Sequence, residues 1–279
     1  MNTVEVAPGV YSFMHPNPTF GNSNIGLVID PDGLTFIDSS ATPAVAETVF
    51  SDVKHLTASL QTKLKRVLLT SSRVAFAGGS ATFWKAAFYG SEATSEQLDL
   101  PANPEVFRTL LPDHADAYHD RFTTRPITHI AAESTQVSAA VQGLVMPGES
   151  SGNLIAYVES AGVVFAGALA SFGVVPLGFD ADILAWATSL EQLAELAPTI
   201  IPGHGPAGGT QDVVDLAAYL RACDAADGDS GRLQPGPWDT WSNQEFHSIN
   251  IERAALLSKG DLSVPLSMYS LLGISPPPE

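Results

Sequence analysis

Histidine is the side chain best suited to moving protons at neutral pH, since its ordinary pKa is about 6.5, and this chain has seven. The most constrained of them is His204, which sits between Gly203 and Gly205 in the turn Pro202-Gly-His-Gly-Pro206. That turn ends an apolar run, so it carries an imidazole to a strand end, as a hydrogen-bonding plug or as a proton carrier. His114 and His119, with Asp113 and Asp116, have the spacing of one helical face. These are metal-donor types, but a charged helix face is first of all a solvated one, and that reading is taken. His55, His129 and His247 belong to no constellation. Cys223 is the only cysteine and has no partner for a disulfide within the chain. In the Ala-rich helical stretch 216–226 it reads as a small packing residue. Gly78-Gly79 lets a helix begin close to the loop before it, but is too short a signature for a phosphate cradle.

Periodicity supplies the elements that must hold these groups. Residues 10–14, 25–29 and 34–37 read as strands, with Asp30-Pro-Asp-Gly33 as the turn between the last two. Residues 43–60 have helical spacing, with Val45, Val49, Val53 and Leu56 on one face and Thr42 as N-cap before Pro43. A buried strand at 64–69 leads into a glycine loop and a short helix at 80–87. Residues 91–134 carry Pro101, Pro104, Pro112 and Pro126 and read as an insertion packed over the core. Strands return at 137–145, 154–158 and 163–166, followed by a helix at 181–196, a strand at 199–201 and a helix at 211–226. A Gly- and Pro-rich loop at 228–239, a helix at 244–258 and a Pro-rich tail complete the chain. Trp84, Trp186, Trp238 and Trp241 read as core and interface anchors. Two successive halves, each with strands and helices, predict an α/β fold of two facing sheets with helices outside. The expected division is a main domain at 1–227 with the 91–134 insertion, and an extension at 228–279 packed on it.

Five short runs agree in order. Phe36-Ile-Asp-Ser39 ends a strand. Val-Leu-Leu-Thr-Ser-Ser-Arg-Val-Ala-Phe-Ala-Gly-Gly occupies 67–79. Pro147-Gly-Glu-Ser-Ser-Gly152 precedes a strand, Val164-Phe-Ala-Gly-Ala168 ends one, and Ile201-Pro-Gly-His-Gly-Pro206 closes the series. Their order and spacing over about residues 10–220 resemble hydrolases of the metallo-β-lactamase superfamily. There the second run reads Thr-His-x-His-x-Asp-His-x-Gly-Gly, the third Gly-His-Thr-x-Gly, and the fourth ends in Gly-Asp. Asn250-Ile-Glu-Arg-Ala254 is similar to an Asn-x-x-Arg-Ala helix of some members. The resemblance implies a four-layer αββα sandwich.

The resemblance also implies where metal ligands would stand. The first two histidines fall on Ser71 and Arg73, the Asp-His pair on Ala75 and Phe76, the third histidine on Glu149, and the bridging aspartate on Ala168. Only His204 keeps the family's side chain. Zinc takes three or four N, S or O donors, so this set predicts no bound metal and no cofactor. Arg73 and Glu149 replace ligands of one metal position and are expected to form an ion pair in its place. Ala75, Phe76 and Ala168 are expected to make an apolar pocket beside His204. The loop 16–24 borders the site in the family, which adds His15 and Asn22 as pocket-lining candidates. In a metal-free site Arg73 would bind an anion or oxyanion, His204 would act as general base or acid, and Ser71 would need a base in reach to be a nucleophile.

Hydrophobic residues at 45% and charged residues at 15% describe a globular chain. A formal net charge of −17 repels nucleic acid and anionic membranes, and the sequence shows no cluster of Lys and Arg to offset it. No apolar run approaches the ~20 residues of a membrane span. The opening Met-Asn-Thr-Val-Glu-Val lacks a secretory pattern, so a cytoplasmic location is expected. Three functions are compatible with these features. The first is a metal-independent enzyme acting on a small organic substrate, by ester, lactone or thioester hydrolysis or by a proton-transfer lyase or isomerase step. The second is a non-catalytic superfamily member, a pseudoenzyme that binds a ligand or partner. The third is a conventional zinc hydrolase drawing ligands from residues 91–134. A homo-oligomer is compatible with all three.

Overall fold

The computed structural model describes residues 1–60 and 62–277. Four antiparallel strands come first: β1 (Asn2–Ala7), β2 (Val10–Met14), β3 (Ile25–Asp30) and β4 (Gly33–Ile37). Helix α1 (Pro43–Leu56) crosses over to β5 (Leu64–Leu68), which runs parallel to β4. Its N-terminus is capped by Thr42, whose Oγ1 accepts from the Val45 amide at 3.3 Å. After α2 (Val74–Ala77) and a 3₁₀ turn, β6 (Ala87–Gly90) adds to the sheet. Helices α3 (Glu92–Leu98) and α4 (Pro104–Leu110) then lead to its last strand, β7 (His129–Ile130).

The second sheet is built from β8 (Ser134–Gln136), β9 (Gln142–Val145), β10 (Leu154–Val158), β11 (Val163–Ser171) and β12 (Thr199–His204). Helix α5 (Ile183–Leu196) makes the crossover between the parallel strands β11 and β12. Helices α6 (Thr210–Ala225), α7 (His247–Ser258) and α8 (Leu266–Leu272) follow. Among the described residues, no helix is long and apolar enough to cross a membrane.

Alternation along the strands sorts the core into layers. Leu27, Phe36 and Val67 face α1 together with Val49 and Val53. Their neighbours Val28, Ile37 and Leu68 face the other sheet, against Leu154, Ala156, Phe165 and Ile201. The outer face of the second sheet, with Val164 and Ile200, packs on Trp186, Leu190, Leu216 and Leu220 of α5 and α6. Apolar layers between helix and sheet, sheet and sheet, and sheet and helix make the expected αββα sandwich.

Several element boundaries differ from the sequence reading. Helix α1 stops at Leu56, where Thr57 folds its hydroxyl onto the Val53 carbonyl, and Leu56, expected on the apolar stripe, is 39% exposed. The stretch 80–87 is a 3₁₀ turn followed by β6, because Phe88 is drawn into the core beside β5. The long strand at 137–145 is a hairpin, closed by a Val137 N–H to Val141 carbonyl bond of 2.9 Å. Strand β1 is an exposed edge strand without the alternation that flags burial, and α8 was hidden among the prolines of the tail. The last two residues of that tail, Pro278 and Glu279, lie outside the described residues. Trp84 is no core anchor: it is 65% exposed.

Candidate functional site

The site grows from the ends of β4, β5, β11 and β12. Asp38, just past β4, has a left-handed backbone (φ 64°) and is fully buried. Its carboxylate accepts from the Thr70 amide and the Thr70 hydroxyl, both at 2.8 Å. Burial pushes the Asp38 carboxyl up to about 7, although the Thr70 hydrogen bonds pull the other way. Thr70 in turn accepts from the Ala168 amide at 3.2 Å and its carbonyl receives the Leu154 amide at 2.9 Å, which ties the first sheet to the second. Residue 167 must be glycine for this, since a Cβ there would lie 2.1 Å from Thr70 Oγ1 and φ is +49°.

The loop after Thr70 delivers Ser71, Arg73, Ala75 and Phe76. It is held down by Ser39 and Ser23, whose hydroxyls donate to the carbonyls of Phe76 and Ala75 at 2.7 and 2.5 Å. Arg73 Nε donates to Glu149 Oε1 at 3.2 Å, so the expected ion pair forms. Two further partners are absent from the sequence reading. Arg73 also pairs with Asp180, and its guanidinium stacks over Phe179 at 4.1 Å. The loop bearing Phe179 and Asp180 is fixed by α7. There Asn250 bonds the Pro176 carbonyl and the Gly178 amide, each at 2.8 Å, and Arg253 donates to the Ala181 carbonyl at 2.9 Å. The Asn-x-x-Arg pattern is therefore the anchor of that loop. Glu149 is 2% exposed; burial raises its carboxyl to about 7, against the lowering effect of Arg73.

Arg73 stands at the edge of a cavity of about 420 Å³ whose walls are α4, α8 and the loop of Phe179. Val106, Phe107, Met268 and Leu272 give it an apolar interior, and among the described residues Arg73 is the only charged side chain that lines it. Residues 91–134 and the C-terminal helix thus shape a cavity beside this loop that is large enough for a small molecule. No periodicity or motif marked those lining residues, because each helix is only two turns long.

His204 contradicts the expected open cavity. It is 3% exposed, with the rings of Phe76 and Phe20 at 5.0 and 5.7 Å from its own. Neither ring nitrogen has a hydrogen-bond partner. Burial lowers its pKa to about 4, against the raising effect of the Asn22 and Thr19 backbones. Ala75, Phe76 and Ala168 do not line a pocket either; they close into a buried apolar plug. The large Phe76 ring fills space that the reading of alanines had left open. Ser71 is fully buried and its hydroxyl accepts from the Arg73 amide at 3.2 Å, with no imidazole bonded to it.

The loop candidates lie elsewhere. His15 Nδ1 is engaged by Asn17 of its own loop at 3.1 Å. Asn22 meets His114 Nε2 at 3.3 Å on the rim of a separate 220 Å³ cavity. Asp113, His114 and Asp116 fall in a 3₁₀ turn, Pro112–Ala117, rather than on a helix face. The residues at the superfamily's metal positions do not fit a zinc ion. One imidazole is enclosed by aromatic rings, one carboxylate is held by a guanidinium, and the rest offer hydroxyl or hydrocarbon. Among the described residues, no three His, Cys, Asp or Glu side chains are grouped to hold a metal.

Solved structures share this architecture. The chain is similar to the metallo-β-lactamase FIM-1 from Pseudomonas aeruginosa in its mono-zinc form, at 19% identity. The match covers 78% of this chain and 93% of that one, with a TM-score of 0.57. It is similar to the stereoselective inverting sec-alkylsulfatase Pisa1 from Pseudomonas sp. at 16% identity, with a TM-score of 0.66 over 99% of this chain and 52% of that one. A metallo-β-lactamase from Erythrobacter litoralis matches at 19% identity over 77% of this chain and 95% of that one, with a TM-score of 0.57. The chain spans about half the length of the alkylsulfatase. No family model and no curated protein matches the sequence. The chain has the metallo-β-lactamase fold.

Proposed function

We propose that this chain is a metal-independent binding protein for a small, largely apolar organic molecule, held between α4, α8 and the Arg73 loop. The observation that carries the reading is the cavity itself. Its 420 Å³ falls in the ~300–1,000 Å³ range of small-molecule sites, and an apolar wall with few polar groups is the usual lining of such sites. Because Glu149 and Asp180 already share the charge of Arg73, the polar end suits an uncharged acceptor, a carbonyl or hydroxyl, better than a free anion.

Catalysis by the residues first considered has little support. Nucleophilic attack by Ser71 requires a base within about 2.6–3.2 Å, and the Ser71 hydroxyl is bonded to the Arg73 amide instead. Proton transfer by His204 requires access that two aromatic rings deny it. A proton-transfer enzyme keeps one observation in its favour: Glu149, raised to about 7, lies against the arginine that lines the cavity.

The test is unfolding in the presence of straight-chain alcohols from hexanol to decanol. A ligand at about one hundred times its Kd adds ~2.7 kcal/mol to stability. The expected result is a saturable rise in the midpoint that disappears in Val106→Trp, which fills the cavity. An equal rise in that variant, or no saturable binding by the unmodified chain, overturns the reading.

A further inference from the structure

A second groove lies at the other end of the first sheet. It opens where β5 and β6 begin, whereas the Arg73 loop follows the end of β5, and it measures about 780 Å³. The floor is apolar: Phe50, Leu64 and Phe83, with Trp84 standing beside them. The rim is the unusual part. Lys54, Lys63, Lys65, Lys85 and Arg66 all line it. The chain has five lysines in all, the other being Lys259, and a formal net charge of −17. Four of five lysines and one arginine therefore converge on one groove of an acidic protein. The sequence reading missed this cluster because its members are spread over residues 54–85 and meet only when α1, β5 and the 3₁₀ turn pack together.

The charges are largely unspent. Lys65 and Arg66 share Asp32. Among the described residues, no carboxylate lies within ion-pairing distance of Lys54, Lys63 or Lys85. Lys54 instead rests over the Phe50 ring at 4.2 Å and Lys85 over the Trp84 ring at 4.6 Å. Like charges gathered around an apolar floor repel one another until an anion joins them. An exposed tryptophan in the same place offers a large flat contact surface that water solvates poorly.

We infer that this groove binds an anionic amphiphile. Its acyl or aryl body lies on Phe50, Leu64, Phe83 and Trp84, and its carboxylate, sulfate or phosphate group sits among Lys54, Lys63 and Lys85. The volume matches a single small-molecule ligand, and ammonium groups bind such head groups as point charges. The site is separate from the Arg73 cavity and takes a charged head group where that cavity suits an uncharged one.

The experiment titrates decanoate below its micelle concentration into the whole chain, followed by calorimetry and by tryptophan fluorescence. The expected result is saturable binding of one equivalent. The affinity falls about ten-fold or more in Lys63→Glu/Lys85→Glu, in line with the loss of at least one charge-assisted contact. Those side chains are on the surface, so the variant keeps the fold, which circular dichroism checks. Trp84→Ala weakens binding as well, while Val106→Trp leaves it unchanged. Equal affinity in the double lysine variant, or binding of 1-decanol as tight as that of decanoate by Val106→Trp, whose Arg73 cavity is filled, overturns the proposal. So does a chain that ignores decanoate but pellets with phosphatidylglycerol vesicles, since the groove would then be a membrane-facing surface.

Discussion

Arg73 Nε stands 3.2 Å from Glu149 Oε1, and the two ends of this pair are unequally placed: the arginine side chain is 17% exposed and the glutamate side chain 3%. Arg73 has two other supports, the Asp180 carboxylate and the Phe179 ring. Among the described residues Glu149 has no second cation within ion-pairing distance. The asymmetry makes the glutamate the dependent partner, and its burial, with the Asp180 charge adding to it, holds its carboxyl up to about 7 even with a guanidinium in contact. The planar guanidinium of Arg73 is what joins the two carboxylates, Glu149 on one side and Asp180 on the other.

The first prediction follows from that asymmetry. Arg73→Met is expected to destabilise more than Glu149→Gln, because the former strands a buried carboxyl and the latter leaves Arg73 with Asp180. Removing one member of a buried pair costs about 3–5 kcal/mol, and the solvent exposure of Arg73 places Glu149→Gln below that range. Urea unfolding of both variants and of the double variant gives the coupling, expected at about 1–3 kcal/mol. Additive effects, or the opposite ranking, would show that the pair is not what fills the space.

Metal content is the second. The purified chain, dialysed without chelator, is expected to hold well below one equivalent of zinc, iron or manganese, and EDTA is expected to leave its unfolding midpoint unmoved. The ground is the donor set at the superfamily's ligand positions, where His204 is enclosed and Glu149 is occupied. Near-stoichiometric metal by elemental analysis would contradict it.

His204 gives the third. Its folded pKa is depressed from 6.5 to about 4, so it contributes stability that is present above about pH 6.5 and is lost as pH falls through about 4. The full linkage is on the order of 3 kcal/mol at most. His204→Leu removes this acid limb, and at pH 7 it is expected to be at least as stable as the parent because two unpaired buried ring nitrogens disappear. An unaltered acid transition, or a loss of several kcal/mol at pH 7, would mean that the imidazole has a partner after all.

The legible part of this molecule was its punctuation. Thr42-Pro43 marked the start of α1, and the glycine turns around 78–79 and 203–205 marked loops that only a close approach between backbones explains. The β-type runs at 25–29, 34–37 and 64–69 marked three strands of the first sheet. What could not be read were contacts between residues far apart in sequence without a shared motif. Asp180 reaches Arg73 across 107 positions, and nothing near Asp180 announces that reach. Phe76 looked like a pocket wall because its neighbours are alanines, yet its own ring closes the space over His204. Short amphipathic helices such as α4 and α8 carry too few turns for a stripe to stand out, and these two line the cavity.

The last prediction concerns Thr70, which does three things at once. Its amide and hydroxyl hold the Asp38 carboxylate, its hydroxyl oxygen receives the Ala168 amide, and its carbonyl receives the Leu154 amide. Thr70→Val keeps the shape and the backbone bonds but deletes the hydroxyl, leaving Asp38 Oδ2 and the Ala168 N–H unsatisfied inside the protein. Each orphaned group costs about 1–3 kcal/mol, so the variant should lose ~2–6 kcal/mol in all. The pH dependence distinguishes this from simple loosening. The folded pKa of Asp38 is raised to about 7 from 3.8, so its contribution is fully present below about pH 4 and is lost as pH rises through 7. The Thr70 hydroxyl opposes that rise, and without it the pKa climbs further. Thr70→Val should therefore be more destabilising at pH 8 than at pH 5, where Asp38 is protonated in both chains. A loss of the same size at both pH values would show that Thr70 matters for packing alone and that the Asp38 charge is not its concern.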